Sequence, residues 1–77
     1  METNPVQKLD CTGLLCPVPI IRLAKVMKTL QSGQAVEMLA TDPGSLPDMK
    51  AYEKQTGNQI LESTKQGDVF RFVVKRK

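Results

Sequence analysis

The chain has no histidine and no tryptophan, and its aromatic residues are Tyr52, Phe70 and Phe72 alone. Without histidine there is no Ser–His or Cys–His nucleophile pair within the chain. With only two cysteines besides, a complete structural zinc site would need ligands of less usual type, and no metal or organic cofactor is expected. The aromatics do not interleave with the basic residues as a base-stacking platform requires. Direct nucleic-acid binding is therefore disfavoured, although Lys and Arg exceed Asp and Glu by a net charge of +3. No apolar run approaches the length of a membrane span. The stretch from Met1 to Asp10 is polar and lacks the apolar centre of a secretory leader, so a cytoplasmic protein away from the membrane is expected. Two cysteines in such a chain point to thiol chemistry more than to a disulfide framework.

At 77 residues the chain has room for one domain, residues 1–77, with one modest core. A core this small leaves no space for a deep substrate cavity beside it. Chemistry is expected at the surface, completed by a partner.

The most informative stretch is Asp10-Cys11-Thr12-Gly13-Leu14-Leu15-Cys16-Pro17-Val18-Pro19. Proline is tolerated in the first turn of a helix, where its missing N–H has no intrahelical partner. The residue before proline is pushed to extended backbone, the conformation of an N-cap. The pattern therefore predicts Cys16 at the N-cap with Pro17 as the first helical residue. A thiol there faces the positive end of the helix dipole, which favours thiolate. The plainer reading of Cys16 is a packing cysteine beside a proline-started helix. Cys11 shares the parity of Leu9 on a short strand, so an inward, small core residue is expected there. The alternative is a resolving thiol for Cys16, which requires the two Cα atoms to come within about 7 Å.

Periodicity predicts the remaining elements. A strand over Val6 to Asp10 precedes the turn at Gly13. A helix follows from Pro17 to about Leu30, with Ile20, Leu23, Ala24, Met27 and Leu30 as its buried stripe and Arg22, Lys25, Lys28 and Thr29 on another face. Ser32-Gly33 stops it. A second strand runs from Ala35 to Thr41 and breaks at Asp42-Pro43-Gly44. Ser45 is the expected N-cap of a second helix that ends at Gly57, with Asp48 completing a capping box and Met49 and Tyr52 facing the core. Ile60 to Thr64 and Val69 to Lys75 read as a hairpin joined through Lys65-Gln66-Gly67-Asp68. The order βαβαββ gives an α/β (α+β) two-layer sandwich, a four-stranded mixed sheet with two helices on one face. The loop after the second strand should adjoin the loop carrying Cys16. Asp42 and Ser45 there either orient a partner or a sulfur substrate or simply end a strand and cap a helix.

Asp10-x-x-Gly13-Leu14-x-Cys16-Pro17-x-Pro19 resembles the signature of the TusA/SirA family of small sulfur-carrier proteins. Thr41-Asp42-Pro43-Gly44-Ser45-x-x-Asp48 and the closing hydrophobic strand with its Lys-Arg end resemble that family too. The resemblance runs from Leu9 nearly to the end of the chain. It implies the same two-layer fold and a catalytic Cys16 that carries sulfane sulfur as a persulfide; Cys11 is outside the shared signature. It also implies a cysteine desulfurase or rhodanese-type donor, a DsrE-like sulfurtransferase as acceptor, and pathways such as tRNA thiolation. Such a protein is a sulfurtransferase component more than a stand-alone enzyme. Two other functions fit the residues: a thiol–disulfide redox protein using Cys11 and Cys16, without the usual Cys-x-x-Cys spacing, and a non-catalytic regulatory module binding through its basic helix face.

Overall fold

The computed structural model describes residues 4–77, so Met1 to Thr3, the start of the polar stretch read against a leader, lie outside it. The chain runs β1 (Pro5–Cys11), α1 (Val18–Met27), β2 (Ala35–Ala40), α2 (Ser45–Thr56), β3 (Gln59–Gln66) and β4 (Val69–Lys75). The sheet order is β1-β2-β4-β3. β1 lies parallel to β2, and the other two pairings are antiparallel. The expected βαβαββ mixed sheet is therefore present, with each strand reaching as far as its neighbour pairs it.

Alternation along the strands sends one set of side chains toward the helices. Val36, Met38 and Ala40 of β2 and Phe70, Phe72 and Val74 of β4 join Leu23 and Met27 of α1 and Met49 and Tyr52 of α2 in one buried cluster. Both helices thus cover the same sheet face. Full burial of a side chain such as Leu23 or Met38 contributes roughly 2 kcal/mol, and the central position of β2 gathers several of them. On α1 the buried residues are Pro19, Leu23 and Met27. Ile20 and Ala24 are only half-buried, so the stripe is rotated toward Pro19 from the one expected.

The opposite sheet face is open, and two side chains on it, Ala35 and Val73, depart from simple alternation. Val73 is fully buried there. It pairs in register with Glu37 on one side and Glu62 on the other. The Arg71 guanidinium bonds both carboxylates, reaching Glu62 at 3.1 Å, and Lys8 approaches Glu37 at 3.8 Å. Charges of alternating sign thus cross all four strands and roof Val73. Individually such pairs stabilise little. As a linked set they exclude water from the valine beneath.

Helix ends follow local chemistry. Gly57 closes α2 in the left-handed region, at φ 77°, and its N–H donates to the Glu53 carbonyl at 2.9 Å; glycine takes this conformation without a Cβ clash. At the start of α2 the expectation fails. Gly44 is the N-cap and no side chain caps it. Ser45 is the first helical residue, its Oγ buried without a partner among the described residues. Asp48 does not complete a capping box, because its carboxylate is engaged elsewhere.

Candidate functional site

The end of β1 turns at Thr12-Gly13, where the Leu14 N–H donates to the Cys11 carbonyl at 3.2 Å. Gly13 has φ 79°, as the third residue of such a turn requires when φ must be positive. The side chain of Asp10 braces the turn, accepting from the Thr12 N–H at 3.0 Å and from the Thr12 hydroxyl. This turn separates the two cysteines. Cys11 is fully buried in the core, whereas Cys16 is exposed. Burial pushes the Cys11 thiol above its ordinary pKa, since the interior disfavours a thiolate.

Cys16 lies one residue outside the position expected for it. The first helical bond of α1 runs from the Ile21 N–H to the Pro17 carbonyl at 3.2 Å, so Pro17 is the N-cap and Val18 the first helical residue. The Val18 N–H is taken by the Leu15 carbonyl at 2.9 Å and is not free to meet the sulfur. The Cys16–Pro17 peptide is cis.

The loop after β2 fixes Cys16 from the side, as the parallel β1–β2 pairing leads one to expect. The Gly13 N–H donates to Thr41 Oγ1 at 2.8 Å, and the Cys16 N–H donates to Asp42 Oδ2 at 2.7 Å. The other carboxylate oxygen of Asp42 accepts from the Gly44 N–H at 3.2 Å. Asp42 therefore ends the strand, braces the start of α2 and holds the backbone of the cysteine together. Of the structural roles expected for this loop, Asp42 ends the strand and Ser45 caps nothing.

The sulfur itself meets α2. The Cys16 Sγ–H donates to Asp48 Oδ2. This contact, more than the helix dipole, controls the electrostatics of the thiol. The bond to Asp48 raises the Cys16 pKa above its ordinary value, with desolvation and the negative charges of Asp48 and Asp42 acting in the same direction. The expectation of a depressed pKa is therefore overturned: the Asp48 bond leads, both carboxylates act on the sulfur, Pro17 and Pro19 have no N–H to oppose them, and that of Val18 is taken.

The segments that carry Cys16 and Asp48 also expose large apolar side chains. Leu15 keeps 73% of its surface exposed, and Val18, Ile21 and Leu46 are also exposed. Between α1 and α2 a cleft of about 210 Å³ opens beside Cys16, floored by Ile20, Ala51 and Tyr52 and edged by Asp48 and Gln55. Among the described residues no group of three or more His, Cys, Asp or Glu side chains is placed to hold a metal ion. Among the described residues, too, no helix is long and apolar enough to cross a membrane. The sequence reading of Cys11 as an inward core residue agrees with its burial, Cys16 is exposed one residue outside the N-cap expected for it, and Asp48 as the partner of the sulfur was missed. Asp48 stands in the second stretch that resembles the family, where the form Ser45-x-x-Asp48 drew the reading to the helix end.

A two-layer βαβαββ fold with one exposed cysteine at a Cys-Pro-x-Pro helix start defines a small domain of the sulfur-carrier class. The chain belongs to the TusA family: the family model described as Sulfurtransferase TusA matches residues 7–76. It is 47% identical over 70 residues to the sulfur carrier protein TusA of Allochromatium vinosum, covering 91% of this chain and 92% of that protein. It is 44% identical over 68 residues to the putative sulfur carrier protein YrkI of Bacillus subtilis, covering 88% and 91%. In structure it resembles a SirA-like protein from Desulfitobacterium hafniense, with a TM-score of 0.80 at 25% identity over 91% of this chain and 96% of that one.

Proposed function

We propose that this chain acts as one domain that accepts sulfane sulfur on Cys16 as a persulfide and delivers it to a cysteine of a second protein. The observation that carries the reading is the setting of Cys16: an exposed thiol whose S–H donates to a carboxylate, beside a cleft open to a partner. In the loading step the Cys16 sulfur attacks the outer sulfur of a donor persulfide. A new S–S bond forms on Cys16, the donor S–S bond breaks, and the donor leaves as a thiol after receiving the proton that Cys16 gave up. Delivery is the same exchange with an acceptor thiolate attacking the outer sulfur and Cys16 leaving. Both steps are redox-neutral overall and call for no cofactor. A cysteine desulfurase or a rhodanese suits the donor role, a DsrE-like sulfurtransferase the acceptor role, and sulfur traffic such as tRNA thiolation in the cytoplasm the setting.

A thiol–disulfide role for Cys11 gains no support from its position. Its sulfur is enclosed in the core and burial disfavours its thiolate. The deciding experiment is intact-protein and peptide mass spectrometry after incubation with a desulfurase and cysteine, and separately with a rhodanese and thiosulfate. The expected product carries one added sulfur on the peptide containing Cys16. An internal Cys11–Cys16 disulfide in its place decides for the redox reading, and neither product decides for a binding module.

A further inference from the structure

Asp48 sits in the first turn of α2, where an acidic side chain commonly caps the helix or complements its dipole. Here no side chain caps the helix, and the Asp48 carboxylate instead accepts from Cys16, 32 positions earlier in the chain. The neighbouring Asp42 is differently employed, with its oxygens bound to the Cys16 and Gly44 N–H groups. These two carboxylates are the charged groups that act on the sulfur, one from α2 and one from the β2–α2 loop. The first turn of α1, Val18 to Ile21, contributes no charge.

The consequence differs between the two states of a carrier. When Cys16 is empty it is a thiol, and its S–H satisfies Asp48. When Cys16 is loaded, Sγ is bonded to a second sulfur and has no hydrogen to donate. A terminal persulfide is also more acidic than a thiol, because the adjacent sulfur stabilises the anion. The loaded form therefore presents negative charge to a carboxylate that has lost its donor.

We propose that Asp48 biases the carrier toward delivery, stabilising the empty thiol by a hydrogen bond and destabilising the loaded persulfide by charge, so that sulfur on Cys16 is held at raised transfer potential. This rests on the persulfide reading of Cys16. The elevation of the Cys16 pKa agrees with the first half of it. Asp48 touches the reacting sulfur, so it also relays the Cys16 proton to the departing donor thiolate during loading and is charged again once the donor has left. The repulsion also turns the outer sulfur away from α2, toward the side from which an acceptor approaches.

The test uses the whole chain and a small-molecule exchange buffer, glutathione persulfide with glutathione at a fixed ratio and neutral pH, with the loaded fraction read by mass spectrometry. Asp48→Asn keeps the shape and removes the charge, and circular dichroism establishes that it is folded. Its ratio of loaded to empty Cys16 is expected to rise about two- to five-fold, the range an exposed charge interaction commands, and its alkylation profile against pH to move to lower pH. Asp48→Glu should return both readouts toward wild type. A merely helix-stabilising Asp48 would change the melting temperature and leave the loading ratio unchanged, which would overturn the proposal. If the wild-type chain takes up no sulfur from this buffer or from protein donors, the carrier reading falls and this inference with it. If wild type loads and Asp48→Asn loads to the same ratio, this inference alone falls.

Discussion

Cys11 and Cys16 belong to one short loop and occupy opposite environments. Cys11 ends β1, paired in register with Ala40 of β2, and its sulfur is enclosed by the core. Cys16, past a single turn, is exposed and bonded to Asp48. Both thiols are held above their ordinary pKa, but for different reasons: burial leads for Cys11, the hydrogen bond to a carboxylate for Cys16. A raised thiol pKa by itself therefore does not distinguish a packing cysteine from a reactive one. What distinguishes them is reversibility. The Cys16 proton has an acceptor already in place, and that of Cys11 has only an apolar interior.

The largest test of this contrast exchanges the thiols one at a time. Cys16→Ser should lose all sulfur loading, since a hydroxyl forms no persulfide, while keeping the wild-type fold. Loading at the wild-type level in that variant would end the mechanism proposed for Cys16. Cys11→Ala should load normally and lose about 1 kcal/mol of stability, the scale of a small buried group removed from a packed core. Urea denaturation measures that loss. A folded Cys11→Ala that no longer loads would bring the buried thiol into the chemistry.

A pH series sharpens the difference in cause. Iodoacetamide should modify Cys16 alone in the native protein, with an inflection above the free-thiol value of about 8.5; an inflection below it would restore the helix dipole as the dominant influence. Cys11 should reveal itself through stability. Its pKa is raised in the folded state, so its contribution is fully present below the unfolded thiol pKa and is lost as pH rises through the folded value. The gap in stability between wild type and Cys11→Ala should therefore narrow under alkaline conditions, and a gap that widens there would contradict burial as the cause.

The smallest effect concerns the route by which partners arrive. Arg22, Lys25 and Lys28 are exposed on α1. Reversing Lys25 and Lys28 to Glu should slow transfer with at least one partner at low salt and leave Cys16 alkylation unchanged. Exposed pairs contribute only about 0–1 kcal/mol each, and salt screens them. The difference should therefore shrink along a salt series. Equal transfer rates for variant and wild type at every salt concentration would reduce these residues to solvated charge.

Much of this layout is legible in the sequence, because it rests on local periodicity. Leu23, Met27 and Leu30 at helical spacing mark α1, and alternation in Phe70, Phe72 and Val74 marks the buried face of β4. Gly57 marks a helix end for steric reasons that hold in any fold. The misreadings share another character. Ser45-x-x-Asp48 has the form of a capping box, and nothing local reveals that Asp48 has a competing partner across the fold. Val73 occupies a solvent-side position in the alternation, and its burial depends on Glu37, Arg71 and Glu62 arriving from three strands. The N-cap moved from Cys16 to Pro17 because the Leu15 carbonyl takes the Val18 N–H, a choice that propensity leaves open. Contacts between distant segments decide the first two of these cases, and a local turn the third.

Thr41 and Asp42 grip the Cys16 loop at two points, Gly13 and Cys16. One hydrogen bond would leave the loop free to pivot; two leave the sulfur a single outlook. For a carrier this implies turnstile traffic, with donor and acceptor needing the same approach and unable to occupy it together. Every delivery then includes a departure, and the dwell time on the donor sets a ceiling on throughput. Adding donor beyond the amount of carrier should slow delivery to the acceptor, and a donor titration at fixed carrier would show whether the two partners share the berth or have separate ones.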